Sequence, residues 1–333
     1  DKLEAVFGFK APRKHGFSTV DAIQAMYRKQ AKVFFGLGGN FISATPDTEI
    51  TAQALRNCNL TVHVSTKLNR SHLVHGKQAL ILPCLGRTDL DEQESGEQFV
   101  TTENSMGVVQ MSKGILEPCS EALFSEPAIV AGLAKATLGS RTKVDWTQLI
   151  SNYDDIRALI EKVIPGFENY NERVREPGGF YLPNPNRKQE FSTADGKAHF
   201  SLNKLPKIRL ASDQYLMMTI RTHDQFNTTI YGLDDRYRGI YHERRVILMN
   251  PEDLEAAQLK SGDQLDLISE YDGQKRIAHK FIAVAYDIPR QCVATYFPEA
   301  NVLIPVNYFA RESKTPISKS VVIKVKKVEE LRS

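Results

Sequence analysis

Between Arg221 and Asn227 the sequence RTHDQFN crowds a guanidinium, a hydroxyl, an imidazole, a carboxylate and two carboxamides around one aromatic ring, Phe226. A guanidinium forks onto phosphate oxygens, amides match the donors and acceptors of a heterocycle, and an aromatic ring covers an apolar face. Together these groups suit a phosphate-bearing heterocyclic ligand, although the same residue types also make an ordinary polar turn. A second candidate is GLGGN at 36–40. Glycines at 36, 38 and 39 let backbone approach a phosphate or base more closely than any residue with a β-carbon. The spacing is GxGG and not the GxGxxG of dinucleotide-binding folds, so a structural turn competes with the binding reading.

Other chemistry-bearing residues form weaker patterns. His72 and His75 have the spacing of a helical metal pair but no third ligand close by, which favours a surface or capping role. Asp89, Asp91, Glu92, Glu94 and Glu97 are carboxylates that could serve acid–base chemistry, yet a run of this kind reads first as a solvated face. Cys58, Cys84, Cys119 and Cys292 are scattered without a CxxC pair. That spacing argues against a zinc knuckle and against an iron–sulfur cluster held within these residues, and it fits a reducing compartment.

The RTHDQFN run follows YLMMTI (215–220), a continuous apolar stretch too short for a normal helix. It is expected to be a strand covered on both sides, delivering a loop at its end. GLGGN similarly ends a short buried strand, Val33–Leu37. A helix over 18–30 precedes it, opened by Ser18 with Asp21 three residues on. Thr45-Pro46-Asp47 reads as N-cap, N1 and acidic first turn of a helix running to about Asn57. Strands at 60–64 and 79–82 complete an alternating α/β pattern, which implies a mostly parallel sheet with ligands beyond the carboxyl ends of its strands. The loops 36–41, 65–70 and 83–87 would then matter most.

Residues 84–118 read as a long acidic loop. Helices are expected from Ser125 to about Gly139 and over 152–163, the latter with an apolar stripe of Ile156, Leu159, Ile160 and Val163. Residues 166–206, rich in Pro, Asn and Gly, read as a connection with one short strand at 196–202. Beyond them, strands at 215–220, 245–249, 264–269, 277–284 and 320–326, with one short helix at 251–258, predict an all-β module closed as a small barrel. The expected division is an α/β domain over 1–165, a connection over 166–206 and a β-barrel over 207–333.

The 333 residues carry 43 basic and 40 acidic side chains, a net charge of +3 that gives no reason to expect a nucleic-acid partner. Forty-one per cent hydrophobic and 25 per cent charged residues are ordinary for a globular protein. No apolar run is long enough to span a bilayer. The first residues show neither a signal-peptide pattern nor an initiator Met, so the chain is expected to be a piece of a longer protein.

Taken in order, KVFFGLGGNF (32–41), LTVHVSTKLNRSH (60–72), ALILPCLGRTDLDEQESGEQFVTTENSMG (79–107), YLMMTIRTHDQFN (215–227), VILMNPEDLEAAQLKSGDQLDLIS (246–269) and NVLIPVNYFARESKTPISKSVVIKV (301–325) resemble the carboxy-terminal part of molybdopterin oxidoreductase large subunits. That family includes dimethyl sulfoxide reductase, nitrate reductases and formate dehydrogenases; the stretch STKLNRSHLVHGKQALILPCLGRTD (65–89) looks most like its formate-dehydrogenase-alpha-like branch. The resemblance implies a Rossmann-like dinucleotide-binding α/β domain followed by a six-stranded double-psi β-barrel. It implies a molybdenum or tungsten bis-molybdopterin guanine dinucleotide cofactor, with Gly38, Gly39 and Asn40 at a guanosine or phosphate site. Arg221, Thr222, Gln225, Phe226 and Asn227 would contact a pterin dinucleotide, with Asn301 and Lys319 in a final cofactor loop. Asp224 fits poorly beside a polyanion and is expected to pair with Arg221 or read a guanine edge.

The family's [4Fe–4S] cysteines, metal ligand and substrate-site His and Arg precede the part matched here, so no catalytic residue or metal ligand is assigned. The implied whole is a cytoplasmic formate-dehydrogenase-like enzyme with a redox partner protein, in which this piece alone does not turn over substrate. Two other readings stand beside it: a cofactor-free structural or electron-transfer subunit of the same fold, and a nicotinamide-dependent Rossmann enzyme built around 36–40.

Overall fold

The computed structural model describes residues 1–205, 207–227 and 231–329. Its compact units do not follow chain order: Asp1–His15 groups with Pro83–Leu205, and Gly16–Leu82 groups with Pro206–Ser333.

After α1 (Lys2–Phe7), the α/β portion of the second unit runs α2 (Thr19–Tyr27), β1 (Val33–Leu37), α3 (Phe41–Ala44), α4 (Thr48–Arg56), β2 (Leu60–Ser65) and β3 (Gln78–Pro83). Ser18 caps α2 by accepting from the Asp21 amide, as its sequence pattern predicts. The three strands form one sheet in the order β1-β2-β3, with β1 and β2 parallel. Val20, Ile23 and Met26 of α2 pack with Ala52, Ala54 and Leu55 of α4. β1 is not the buried strand its composition predicts: Val33 is 60% exposed, because apolar content alone does not supply a covering layer. Helix α4 begins after Asp47 and not at Pro46, since Asp47 takes left-handed φ of 54°, outside helical geometry.

The other unit replaces the expected acidic loop with β4 (Glu92–Gln93), β5 (Gly96–Glu97), β6 (Val100–Glu103) and β7 (Val108–Ser112). Its helices are α5 (Glu126–Leu138), α6 (Trp146–Ser151), α7 (Tyr153–Val163) and α8 (Tyr170–Arg173), and β8 (Phe180–Tyr181) adds to β7 antiparallel. Phe99, Val109, Tyr170, Val174 and Phe180 form its core, so the region from 170 to 180, expected to be part of a connection, is packed structure. On α7 the fully buried positions are Tyr153 and Arg157; the Ile156 stripe is only half-buried. Arg157 lies 3.9 Å over the Phe99 ring and donates to Phe99 O at 3.0 Å. Residues 196–202 form no strand.

The barrel comprises β9 (Tyr215–Ile220), β10 (Val246–Met249), α9 (Pro251–Ala256), β11 (Gln264–Tyr271), β12 (Gln274–Ala285), β13 (Cys292–Tyr296) and β14 (Val321–Lys327). Its strands close in the order β10-β12-β11-β14-β9-β13. β13 is the strand that apolar-run reading overlooks, since CVATY is short and mixed. Closure gives β9 an inside and an outside: Met217 is fully buried and Met218 is 40% exposed, where a strand covered on both sides was expected. Met217, Ile247, Leu265, Phe281, Val293 and Ile323 meet inside, one from each strand.

The α/β portion and the barrel are joined by buried polar contacts within their shared unit. Asp47 Oδ2 accepts from Arg276 Nη2 at 2.7 Å and from the Val306 amide at 3.3 Å. Asn301 Nδ2 donates to Ser43 O at 2.6 Å, and Asn301 O accepts from the Asp47 amide.

Candidate functional site

At the end of β1 the chain turns through Gly38 and Gly39 at φ of 68° and 76°, a region that strongly favours glycine. A β-carbon built on Gly39 would meet nothing within 4 Å, so its surface is open. The turn is tied down from one side only. Gly38 N donates to Val64 O, Asn69 Nδ2 donates to Gly39 O at 2.9 Å, and Ser71 Oγ donates to the Asn40 carboxamide oxygen at 3.0 Å. The Gly39 and Asn40 amides donate no hydrogen bond among the described residues. Asn40 itself is buried and its side chain organises the loop, while Gly38 and Gly39 are exposed.

The turn supporting this loop engages both His72 and His75 in local hydrogen bonds. His72 Nδ1 accepts from the Asn69 amide at 2.9 Å, completing a reciprocal cap with the Asn69 side chain. His75 Nδ1 meets Gly76 O. Among the described residues no group of three or more His, Cys, Asp or Glu is placed to hold a metal ion. His63 lies 5.0 Å from His72, ring to ring, and burial, followed by its neighbour's charge, pushes its pKa down.

At the end of β9, Arg221 is exposed and lies 5.4 Å over the Phe297 ring. Lys319 donates to Thr219 O. Partial burial, then the Arg221 charge, pushes the Lys319 ammonium below its ordinary pKa, as expected for adjacent cations without an anion between them. Thr222 is buried with its hydroxyl unpartnered. Phe226 is 75% exposed. Gln225 points inward: its Nε2 donates to Asn227 O at 3.1 Å and Phe297 O at 2.9 Å. Asp224 sits 3.4 Å from Arg236, both side chains exposed, where pairing with Arg221 was one expectation. Asn301, 2% exposed, spends its amide on Ser43 and leaves Oδ1 unpartnered.

The structure adds residues that sequence reading missed. Arg244 donates to Gln225 Oε1 at 3.0 Å, Phe297 O at 2.7 Å and Glu299 Oε1 at 2.8 Å. It stacks 4.1 Å over Tyr231, and its Nη1 is buried without a partner. Tyr231 is pushed up by burial and by Glu299, with Arg244 and Arg70 opposing. Asp235 accepts from Arg238 and from the Tyr296 hydroxyl at 2.8 Å, fixing the far side of that loop. Paired Arg and Asp in the sequence DDRYRGIYHERR carry no mark of which face inward.

The arrangement therefore offers an open glycine turn with free amides, an exposed cationic pair and unpartnered buried donors at the end of a closed barrel. These are features of a site for an anionic, hydrogen-bonding group of the dinucleotide class. Residues 215–324 match the Molydopterin dinucleotide binding domain family, which spans β9 to within β14. An uncharacterized oxidoreductase of Mycobacterium tuberculosis (strain H37Rv) is 49% identical over 97% of this chain and 42% of its own length. Protein YdeP of Escherichia coli (strain K12) is 40% identical over 97% of this chain and 43% of its own. Acetylene hydratase from Pelobacter acetylenicus shares the fold, with a TM-score of 0.61 at 15% identity over 98% of this chain and 49% of that one. These findings support a carboxy-terminal region of a molybdopterin oxidoreductase, with residues 215–324 carrying the Molydopterin dinucleotide binding domain. It spans less than half the length of these relatives.

Proposed function

We propose that this chain supplies part of the binding site for a molybdenum or tungsten bis-molybdopterin guanine dinucleotide, in a longer oxidoreductase acting on a formate-like substrate. One observation carries the reading: Arg221, at the end of a barrel strand, and Lys319, bonded to Thr219 O of that strand, are cations with no acidic partner among the described residues, within the family match. The residues present fit the group. Thr222 Oγ1 and Arg244 Nη1 are buried donors without acceptors, and Gly39 is open to close approach.

In this reading Arg221 and Lys319 neutralise the pyrophosphate, Phe226 covers a ring face, and Thr222, Gln225 and Asn227 line the pterin side. The backbone of Gly38, Gly39 and Asn40 receives a guanosine or phosphate, in what we take to be the remaining part of a Rossmann-like α/β domain. Asn301 holds α3 to the barrel behind it. When bound, the cofactor supplies two-electron redox chemistry at its metal, and the protein's contribution is binding, orientation and electrostatics. Formate oxidised to carbon dioxide releases one proton and two electrons; a [4Fe–4S] cluster and a redox partner protein outside this chain are part of the proposal as the electron route. Scattered free thiols support a cytoplasmic setting.

Metal, pterin and guanine-nucleotide analysis of the purified longer protein tests the proposal, alongside formate oxidation with an artificial acceptor. Arg221→Ala should lower cofactor content several-fold with an unchanged circular dichroism spectrum. Unchanged content would return residues 221–227 to a structural turn. Wild-type protein lacking molybdenum, tungsten and guanine nucleotide would support the cofactor-free subunit, and loaded protein inactive on formate would overturn the substrate.

A further inference from the structure

The stretch from Gly196 to Leu205 has the pattern of a strand and none of the partners. A tight turn launches it: Gly196 N donates to Thr193 O at 3.1 Å, Thr193 Oγ1 donates to Lys197 O at 2.8 Å, and Asp195 Oδ1 accepts from Lys197 N at 3.2 Å. From there the side chains alternate, with Lys197, His199, Ser201 and Asn203 polar and Ala198, Phe200 and Leu202 apolar, the period of a half-buried strand. Yet Phe200 is 97% exposed, Leu202 99% and Leu205 90%. Among the described residues, positions 198–205 make no backbone hydrogen bond.

The apolar side chains of this stretch are covered by none of the described residues. An unpaired strand with such a face is a template for another strand. We propose that residues 198–203 are a docking strand, completed by a strand from the part of the longer protein outside residues 1–333 that pairs along this backbone and covers Phe200 and Leu202. Two observations favour that occupant. The match to longer relatives runs through nearly all of this chain while more than half of their length lies outside it. Lys197 and Lys204 flank the apolar pair, and charge of one sign at both ends opposes a second copy of the same segment.

Hydrogen exchange followed by mass spectrometry on the intact longer protein tests this. Amides 198–203 should exchange about a hundredfold or more slowly than an unstructured chain, unaffected by dilution. Phe200→Ser with Leu202→Ser should return them to near the unstructured rate and open tryptic cleavage at Lys197 and Lys204. Unprotected amides in the intact wild-type protein would overturn the proposal whether or not the variant folds. Protection that disappears on dilution would overturn it in favour of a second copy.

Discussion

Arg244 shows how much one side chain beside the candidate site has to hold. Its nitrogens bond Gln225, Phe297 O and Glu299 while its plane covers Tyr231. Removing it strands a partly buried carboxylate and a buried amide, so Arg244→Ala should cost about 3 kcal/mol in denaturant unfolding. Arg244→Lys keeps the charge, loses the fork and should fall between the two. Asp235 makes a pH prediction. Burial works to raise its pKa, but Arg238 and the Tyr296 hydroxyl outweigh burial and hold it below the ordinary carboxylate value. A depressed acid contributes stability that is present above the unfolded value, about 4, and lost as pH falls through the lower folded value. In Arg238→Ala the opposing burial dominates, so the acid limb of a stability–pH profile should begin at higher pH. An unshifted limb would show that Arg238 does not hold that carboxyl. The sequence HERRV does not distinguish Arg244 from Arg245; the register entering β10 buries the first and exposes the second.

At the scale of elements, the joint between the α/β portion and the barrel rests on Asp47 and Arg276, 3% and 7% exposed. Asp47→Ala should destabilise by about 3 kcal/mol or more, because Arg276 keeps a buried charge without its partner. Asp47→Ala combined with Arg276→Met should cost less than the sum of the single changes, and additive losses in that double-mutant cycle would show the pair is uncoupled. Most elements were legible: β1, β2 and β9 lie where apolar runs placed them, and α2 and α5 open at the serines that cap them. The start of α4 was not, since Thr-Pro-Asp is an ordinary helix opening unless Asp47 is drawn off by an arginine far along the chain. The hairpins inside 92–112 were hidden because their exposed acidic residues alternate with few apolar ones.

For the whole molecule, charge and hydrophobicity set bounds and not functions. Forty-three basic against 40 acidic residues should leave retention on heparin weak and abolished by physiological salt, the counterion-release signature of a protein that does not neutralise many phosphates. Retention persisting in higher salt would point to a polyanion-binding face instead. Among the described residues no helix is long and apolar enough to cross a membrane. The interleaving of the two units, with residues 16–82 grouped with the barrel and 83–205 with the first fifteen, has no signature in composition, which changes along the chain and not across it.

Local chemistry decided what the sequence alone determined: which stretches become strands or helices, that strands crowd the barrel region from β9 to β14, and that polar clusters end β1 and β9. These follow from side-chain periodicity, capping groups and glycine geometry, all acting within a few residues. Which members of those clusters remain free was decided only in three dimensions. Gln225 and Asn301 are spent on Phe297 and Ser43, whereas Arg221 and Phe226 stay outward. A buried polar group takes whichever partner folding brings to it, and those partners lie 72 and 258 residues away in the chain.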